Sequence, residues 1–354
     1  MKKRRKLALI PATLGILLIV CFCIYQVQVQ PIDKTSHADI EVIIPSGMST
    51  DDIANLLHDK GLIRSPLFFK IYVKLNGISS MKASTYLFQK SMSLDEIAAS
   101  LEQGSLYNPD AISITFQEGQ SIKDYAKTLA SKTNIGEQEF LDVASDPTNL
   151  AAWMNQYWFL TEDILNEEIY YPLEGYLAPD TYFFENEDVT AEEVINTLLK
   201  EEGENLEPYR EILENTNIHD MITMASITEL EGVNETDRKM IVGVFQNRLA
   251  QGMNLGSDVT TYYAFDQEMT GDLSASMFQT YNPYNTRSSE MAGRLPVGPI
   301  CNPSLESIDA SINPTANDYF YFVADKNGKI YYTRTMAEHE QAINTIKENG
   351  DWIW

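Results

Sequence analysis

The spacing of apolar and polar positions changes several times along this chain, and each change marks an element. Leu7–Tyr25 is an almost wholly apolar run without a charge, close to the about 20 residues a helix needs to cross a bilayer core. Pro31–Asp39 is polar and reads as a tether. Ile40–Ile44 alternates and predicts a strand, broken by the Pro, Ser and Gly that follow. Ser49 is placed to cap a helix carrying Ile53, Leu56 and Leu57 on one face, with Gly61 as its stop. Ser65-Pro66 opens a second helix, with Pro at its first position and Leu67, Phe68, Ile71, Tyr72 and Leu75 behind it. Thr85–Phe88 reads as a returning strand, and Ser93 with Glu96 forms a capping box for a third helix that ends at Gly104. Residues 40–104 are therefore a small β-α-α-β unit with an extra helix. Its polar residues are caps and turn formers, and none suggests catalysis.

A second segment opens with a strand over Ile112–Phe116 and a helix from Ser121 through Ile122, Tyr125 and Leu129. The stretch from Thr161 to Glu214 is acidic and helix-rich. Within it, Leu173–Tyr182 combines Gly, Pro and aromatics and suits a shaped loop better than a regular element. Two helices follow, over Met221–Glu231 and Glu235–Gln251, then a long loop-rich region. Tyr319–Ala324 and Lys329–Thr333 close the pattern as two strands joined by an Asp-Lys-Asn-Gly hairpin. The pattern as a whole is α+β, with an N-terminal transmembrane helix, a small module and a larger α+β domain.

Composition narrows the partners. Of 354 residues, 26 are Lys or Arg and 51 are Asp or Glu, a net charge of −25. Such acidity excludes nucleic acid, because nothing here would replace a phosphate counterion atmosphere. Lys2, Lys3, Arg4, Arg5 and Lys6 precede the apolar run and predict a cytoplasmic N-terminus and an exported body. No small-x-small cleavage site follows the run, so a retained single-pass anchor in the cell membrane is expected over a cleaved signal peptide. The organisation expected is then residues 1–30 as basic tip and anchor, 31–39 as tether, 40–106 as the small module and 107–354 as the catalytic domain. Cys21 and Cys23 lie within the anchor and only Cys301 lies beyond it. Neither a disulfide framework nor a Cys-based zinc site follows, four scattered His suggest no metal, and no cofactor is expected.

Two carboxylates stand at the end of the Met221–Glu231 helix. At about 100° per residue, Glu229 and Glu231 point to different faces. One can therefore enter a cleft while the other makes a structural bond. The negative end of the helix dipole and an apolar wall would both raise a carboxyl pKa there, as a general acid requires. Asn247 and Arg248, near the end of the next helix, are candidate substrate ligands, although an Arg there also has a plain capping role. Asp258, Tyr284, Asn285 and Thr286 lie in the loop-rich stretch, whose Tyr, Asn and Thr suit an ordered groove for a polar, sugar-like polymer. No nucleophile elbow, phosphate loop or zinc-helix motif appears.

These residues carry a resemblance. Met224–Glu231, Val244–Leu249, Gly252–Leu255 with Asp258, Tyr284–Thr286, Leu295–Ile300, Asn302-Pro303, Asp318–Asp325 and His339 occur in an order that resembles the endolytic murein transglycosylase family of membrane-anchored bacterial enzymes. The resemblance covers essentially everything after residue 40. It implies that the small module is LysM-like and that Leu173–Tyr182 is an interdomain signature. The family's helix reads A-S-I-x-E-K-E, so the resemblance places the catalytic acid at Glu231 and its companion at Glu229. Leu230 stands where Lys is usual, Thr228 where an aliphatic is usual, and Asn313-Pro314 where His-Pro is common. The implied activity is a carbon–oxygen lyase reaction that cuts the β-1,4 bond between N-acetylmuramic acid and N-acetylglucosamine without water. The implied partners are peptidoglycan glycan strands and, as a further expectation, the synthases of the elongation or division machinery. Two other readings stand beside it: a wall-binding protein without activity, and a pyridoxal-phosphate lyase. An exported body and the lack of a Lys in the motif cluster argue against the second.

Overall fold

The computed structural model describes residues 24–78, 80–105 and 107–352. The expected membrane-spanning run lies outside them except for Ile24 and Tyr25, and no helix among the described residues is long and apolar enough to cross a membrane. The chain divides into two compact units, one up to Ala111 and one from Ile112 onward.

In the first unit, β1 (Asp39–Ile44) pairs antiparallel with β2 (Ser84–Gln89), Asp39 opposite Gln89. The helices are α1 (Thr50–Asp59), α2 (Pro66–Leu75) and α3 (Leu94–Gln103). Their starts follow from local chemistry. The Ser49 hydroxyl accepts from the Asp52 N–H, Ser65 caps a helix with Pro in its first turn, and Ser93 and Glu96 cap each other's backbone. Val42, Phe69, Tyr86, Phe88 and Leu101 form the core.

The sequence pattern of α2 does not by itself select its buried face. Phe69, Tyr72 and Val73 point inward, whereas Leu67 is 65% and Leu75 73% exposed. In a helix this rich in apolar residues, two faces satisfy the helical period equally well. Only packing against the sheet decides between them.

The second unit begins with β3 (Ile112–Thr115), antiparallel to β4 (Thr181–Phe184). Thr181 and Tyr182, read from sequence as part of a loop, are thus strand residues. Between these strands lie α4 (Ile122–Lys132), α5 (Glu137–Ser145) and α6 (Pro147–Gln156). Then come α7 (Ala191–Leu206), α8 (Ile218–Glu231), α9 (Glu235–Ala250), α10 (Asp258–Ala264) and α11 (Leu305–Ile312). The hairpin of β5 (Tyr321–Ala324) and β6 (Ile330–Thr333) precedes α12 (Met336–Glu348). Helices α5, α6, α11 and α12 were not foreseen, and α10 lies in the stretch read as loop-rich.

Helix α8 divides the unit's two apolar cores. Ile222 and Ala225 enter one, with Phe116, Tyr125 and Leu198, while Met224 and Ile227 enter the other, with Ile241, Phe245 and Tyr284. A helix apolar on all sides is a buried helix, and residues 222–228 of α8 are buried throughout. The Leu173–Tyr182 segment packs on this helix at Ile222 through Gly175. With φ at +86°, a Cβ there would lie 2.6 Å from Pro299 Cγ and 3.0 Å from Ile222 Cγ2. Only glycine meets both demands.

Two carboxyls are buried away from the helix end. Glu174 accepts from the Ile122 N–H at 2.9 Å and the Tyr263 hydroxyl at 3.1 Å. One oxygen of Glu202 has no hydrogen-bond partner. Burial pushes each of them up from the ordinary 4.5 to about 8. Between those values the folded chain holds protons that the unfolded chain has released, so stability falls as pH rises through this window. The thermal midpoint should therefore be higher near pH 5 than near pH 8. Glu202→Gln should flatten that slope, as calorimetry across the window would show.

Candidate active site

Glu231 is the last residue of α8, and Gly232 ends the helix by donating its N–H to the Thr228 carbonyl. The side chain faces a cavity of about 880 Å³ lined also by Leu230, Arg248, Asp258, Arg287, Tyr321 and His339. A second cavity of about 440 Å³, walled by Tyr170, Tyr262 and Tyr263, shares Leu230, Val259, Tyr262 and Met269 with the first. The shared residues put the two cavities side by side next to Glu231. Their tyrosine faces and scattered polar groups suit saccharide rings.

The electrostatics prepare Glu231 to hold a proton. Burial raises its pKa and the nearby Asp258 charge adds to that. The Ser257 hydroxyl bond and the Arg248 and Arg287 charges oppose it, and the net direction is upward. Asp258 is also raised by burial, against an opposing pull from Arg287, which it pairs with at 3.3 Å. On the far wall His339 stacks on Tyr321 with ring centroids 5.4 Å apart. Burial and the Arg248 charge lower the His339 pKa, which favours the neutral ring.

Glu229 has the opposite environment. Its side chain is only 6% exposed. One oxygen accepts from Arg238 Nη2 at 2.9 Å, and the other from the Ser304 N–H, the Ser304 hydroxyl at 2.5 Å and the Ser307 hydroxyl at 2.7 Å. The expectation that the two carboxylates face apart is met, but the proposal of Glu229 as a substrate ligand is not. It ties α8 to α9 and α11.

The other sequence candidates separate in the same way. Arg248 and Asp258 line the groove with Glu231. Asn247 does not: its amide donates to the carbonyls of Asn317 and Tyr319, holding the approach to β5 against α9. Tyr284, Asn285 and Thr286 are fully buried framework. The Tyr284 hydroxyl accepts from the Tyr170 N–H, and the Asn285 amide donates to the carbonyls of Met277 and Thr280. Thr286 Oγ1 accepts from the Ser257 N–H at 3.1 Å. They shape the groove from behind.

Sequence reasoning missed Arg287, Tyr321 and the partner role of Ser257. Ser257 was visible only as the neighbour of Asp258, and no local spacing signals a contact made 26 positions away.

Two carboxyls with raised pKa, Glu231 and Asp258, share a cavity with polar and aromatic walls, an arrangement suited to acid–base cleavage of a polymer. The family follows from comparison: the chain belongs to the YceG-like family, whose sequence profile matches residues 42–345. It is 33% identical to an endolytic murein transglycosylase of Bacillus subtilis, over 88% of this chain and 86% of the relative. It is 32% identical to an endolytic murein transglycosylase of Streptococcus pneumoniae serotype 2, again over 88% of this chain but only 59% of that longer relative. The 2.6 Å crystal structure of a yceG-like protein from Listeria monocytogenes superposes with a TM-score of 0.61 at 35% identity. That match covers 86% of this chain and 99% of the other.

Proposed function

We propose that this protein is a lytic transglycosylase acting within peptidoglycan glycan strands, with Glu231 as the one group that moves the proton. The observation that carries this reading is the position of Glu231: half-buried, raised in pKa and opening on the larger cavity, while Glu229 on the same helix is locked into structure. Glu231 protonates the oxygen that leaves N-acetylmuramic acid C1. The carboxylate so formed then takes the proton of the same sugar's C6 hydroxyl as its oxygen closes on C1. The substrate supplies the nucleophile, so neither a second carboxylate nor an activated water is required. Ordinary glycosidases need a second carboxylate, either as the nucleophile or to activate water. The product end is a 1,6-anhydro sugar.

Asp258 in the same cavity favours a second reading, a two-carboxylate hydrolase. Its ion pair with Arg287 suits it better to binding and to raising the Glu231 pKa than to delivering water.

The basic cluster and apolar run support a membrane-anchored, extracytoplasmic body in which the LysM-like module guides the enzyme along glycan near wall synthases. Protease added to intact protoplasts should degrade the body, and a protected body would count against this placement. The functional test uses purified protein and sacculi. Soluble fragments with 1,6-anhydro ends support the lyase, whereas binding without release supports a wall-binding protein.

A further inference from the structure

The Ser257 hydroxyl lies 2.5 Å from Glu231 Oε1, and no other acceptor receives its proton among the described residues. Ser257 is itself held from behind. Its N–H donates to Thr286 Oγ1 at 3.1 Å, and its carbonyl accepts from Thr260 Oγ1 at 2.7 Å. Thr260 Oγ1 and Thr286 Oγ1 lie 2.8 Å apart, and the Thr286 N–H donates to Thr260 Oγ1 at 3.2 Å. All three residues are buried. This closed set of hydroxyls leaves Ser257 little freedom of position, and it gives the Tyr284-Asn285-Thr286 segment a purpose other than touching substrate.

Resting on the reading of Glu231 as the proton carrier, we propose that Ser257 is a positioning residue that decides which Glu231 oxygen carries the transferred proton. A serine hydroxyl has one proton, and when Glu231 is ionised that proton must go to Oε1, because a carboxylate only accepts. Were Oε1 protonated instead, it would have to donate to Ser257 Oγ and leave the serine proton buried without an acceptor, which is costly. The acid proton therefore sits on Oε2. It leaves Oε2 as the C1–O bond breaks. Oε2 then receives the C6 hydroxyl proton as the C1–O6 bond forms. The Ser257 proton stays on the serine throughout, and its bond strengthens when Glu231 is a carboxylate, because hydrogen bonds to charged groups are the stronger kind.

Two consequences separate this role from simple packing. Ser257 stabilises the ionised form, so its loss moves the Glu231 pKa upward. It also stabilises the state formed after the first proton transfer, so its loss lowers kcat with little effect on KM.

The test is the pH profile of kcat for the full chain on glycan strands, for the parent, Ser257→Ala, Ser257→Thr and Glu231→Gln. Ser257→Ala should lower kcat by about 10- to 100-fold, as expected for removing a hydrogen bond to a charged group. Its alkaline limb should move to higher pH while KM stays near the parent's. Ser257→Thr, which keeps the hydroxyl, should return the limb toward the parent position. An Ala variant with parent kcat and an unmoved limb would overturn the proposal. So would one that loses activity with its thermal midpoint intact and its limb unmoved. Glu231→Gln separates the levels of failure. If it stays active, the reading of Glu231 fails; if it is inactive while Ser257→Ala behaves as parent, only the role of Ser257 fails.

Discussion

Glu231→Gln is expected to lower turnover by about 10²–10⁴-fold while leaving the fold in place, the range that general acid–base groups commonly contribute. The amide keeps the volume of the carboxyl and still accepts from Ser257 through its oxygen. It cannot give up a proton to a leaving oxygen and then take one from a C6 hydroxyl. Both steps pass through the same side chain in the account above, so no other group at the site compensates. Asp258 lies in the same cavity, but its pairing with Arg287 at 3.3 Å holds it as a charge beside the acid. Fragment release from sacculi and the thermal midpoint, measured together, check the result. A variant that folds normally and cuts at the parent rate removes Glu231 from the chemistry.

Glu229→Ala is expected to act on stability instead. It would leave the Arg238 Nη2 donor, the Ser304 N–H and the Ser304 and Ser307 hydroxyls without the acceptor they share. Arg238 keeps its bond to Glu306 at 2.8 Å, but Glu306 is 65% exposed and its pairing is screened by solvent. Removing one partner of a buried pair commonly costs about 3–5 kcal/mol. In a domain of this size that is a fall of roughly 10 °C in thermal midpoint. Turnover per folded molecule, measured well below that midpoint, should change far less than for Glu231→Gln. The two residues are two positions apart on one helix, so opposite signatures would show that the helix turn divides chemistry from structure.

Local chemistry was the legible part of the fold. Ser49, Ser65, Ser93 and Ser121 all cap the helices they were expected to start, because an N-cap acts on backbone two or three residues away. The hairpin over residues 325–328 is legible for the same reason: Asp325 Oδ1 accepts from the N–H groups of Asn327 and Lys329 within one turn. The buried face of α2 was not legible, since seven of its ten residues are hydrophobic side chains other than Pro and periodicity alone selects no side.

Of the site, helix geometry set Glu229 and Glu231 on different faces, and only the family resemblance singled out Glu231; Arg248 and Asp258 share its cavity. The partners that settle each carboxylate's role come from distant segments. Ser304 and Ser307 meet Glu229 from 75 and 78 positions away. Tyr284, Asn285 and Thr286 illustrate the converse error. Their residue types suit sugar recognition, yet each spends its polar atoms on backbone or on a neighbouring hydroxyl inside the framework. Composition indicated a groove correctly but not which side of its wall a given side chain would take.

Closure by the substrate's own C6 hydroxyl, and not by water, would leave no solvent oxygen in the product. It is tested most directly by digesting sacculi in water enriched in heavy oxygen and analysing the new chain ends by mass spectrometry. The expected products are 1,6-anhydro ends that carry no heavy oxygen. Reducing ends that carry heavy oxygen would show that water enters, and would make the protein a hydrolase with Asp258 as the candidate second carboxylate.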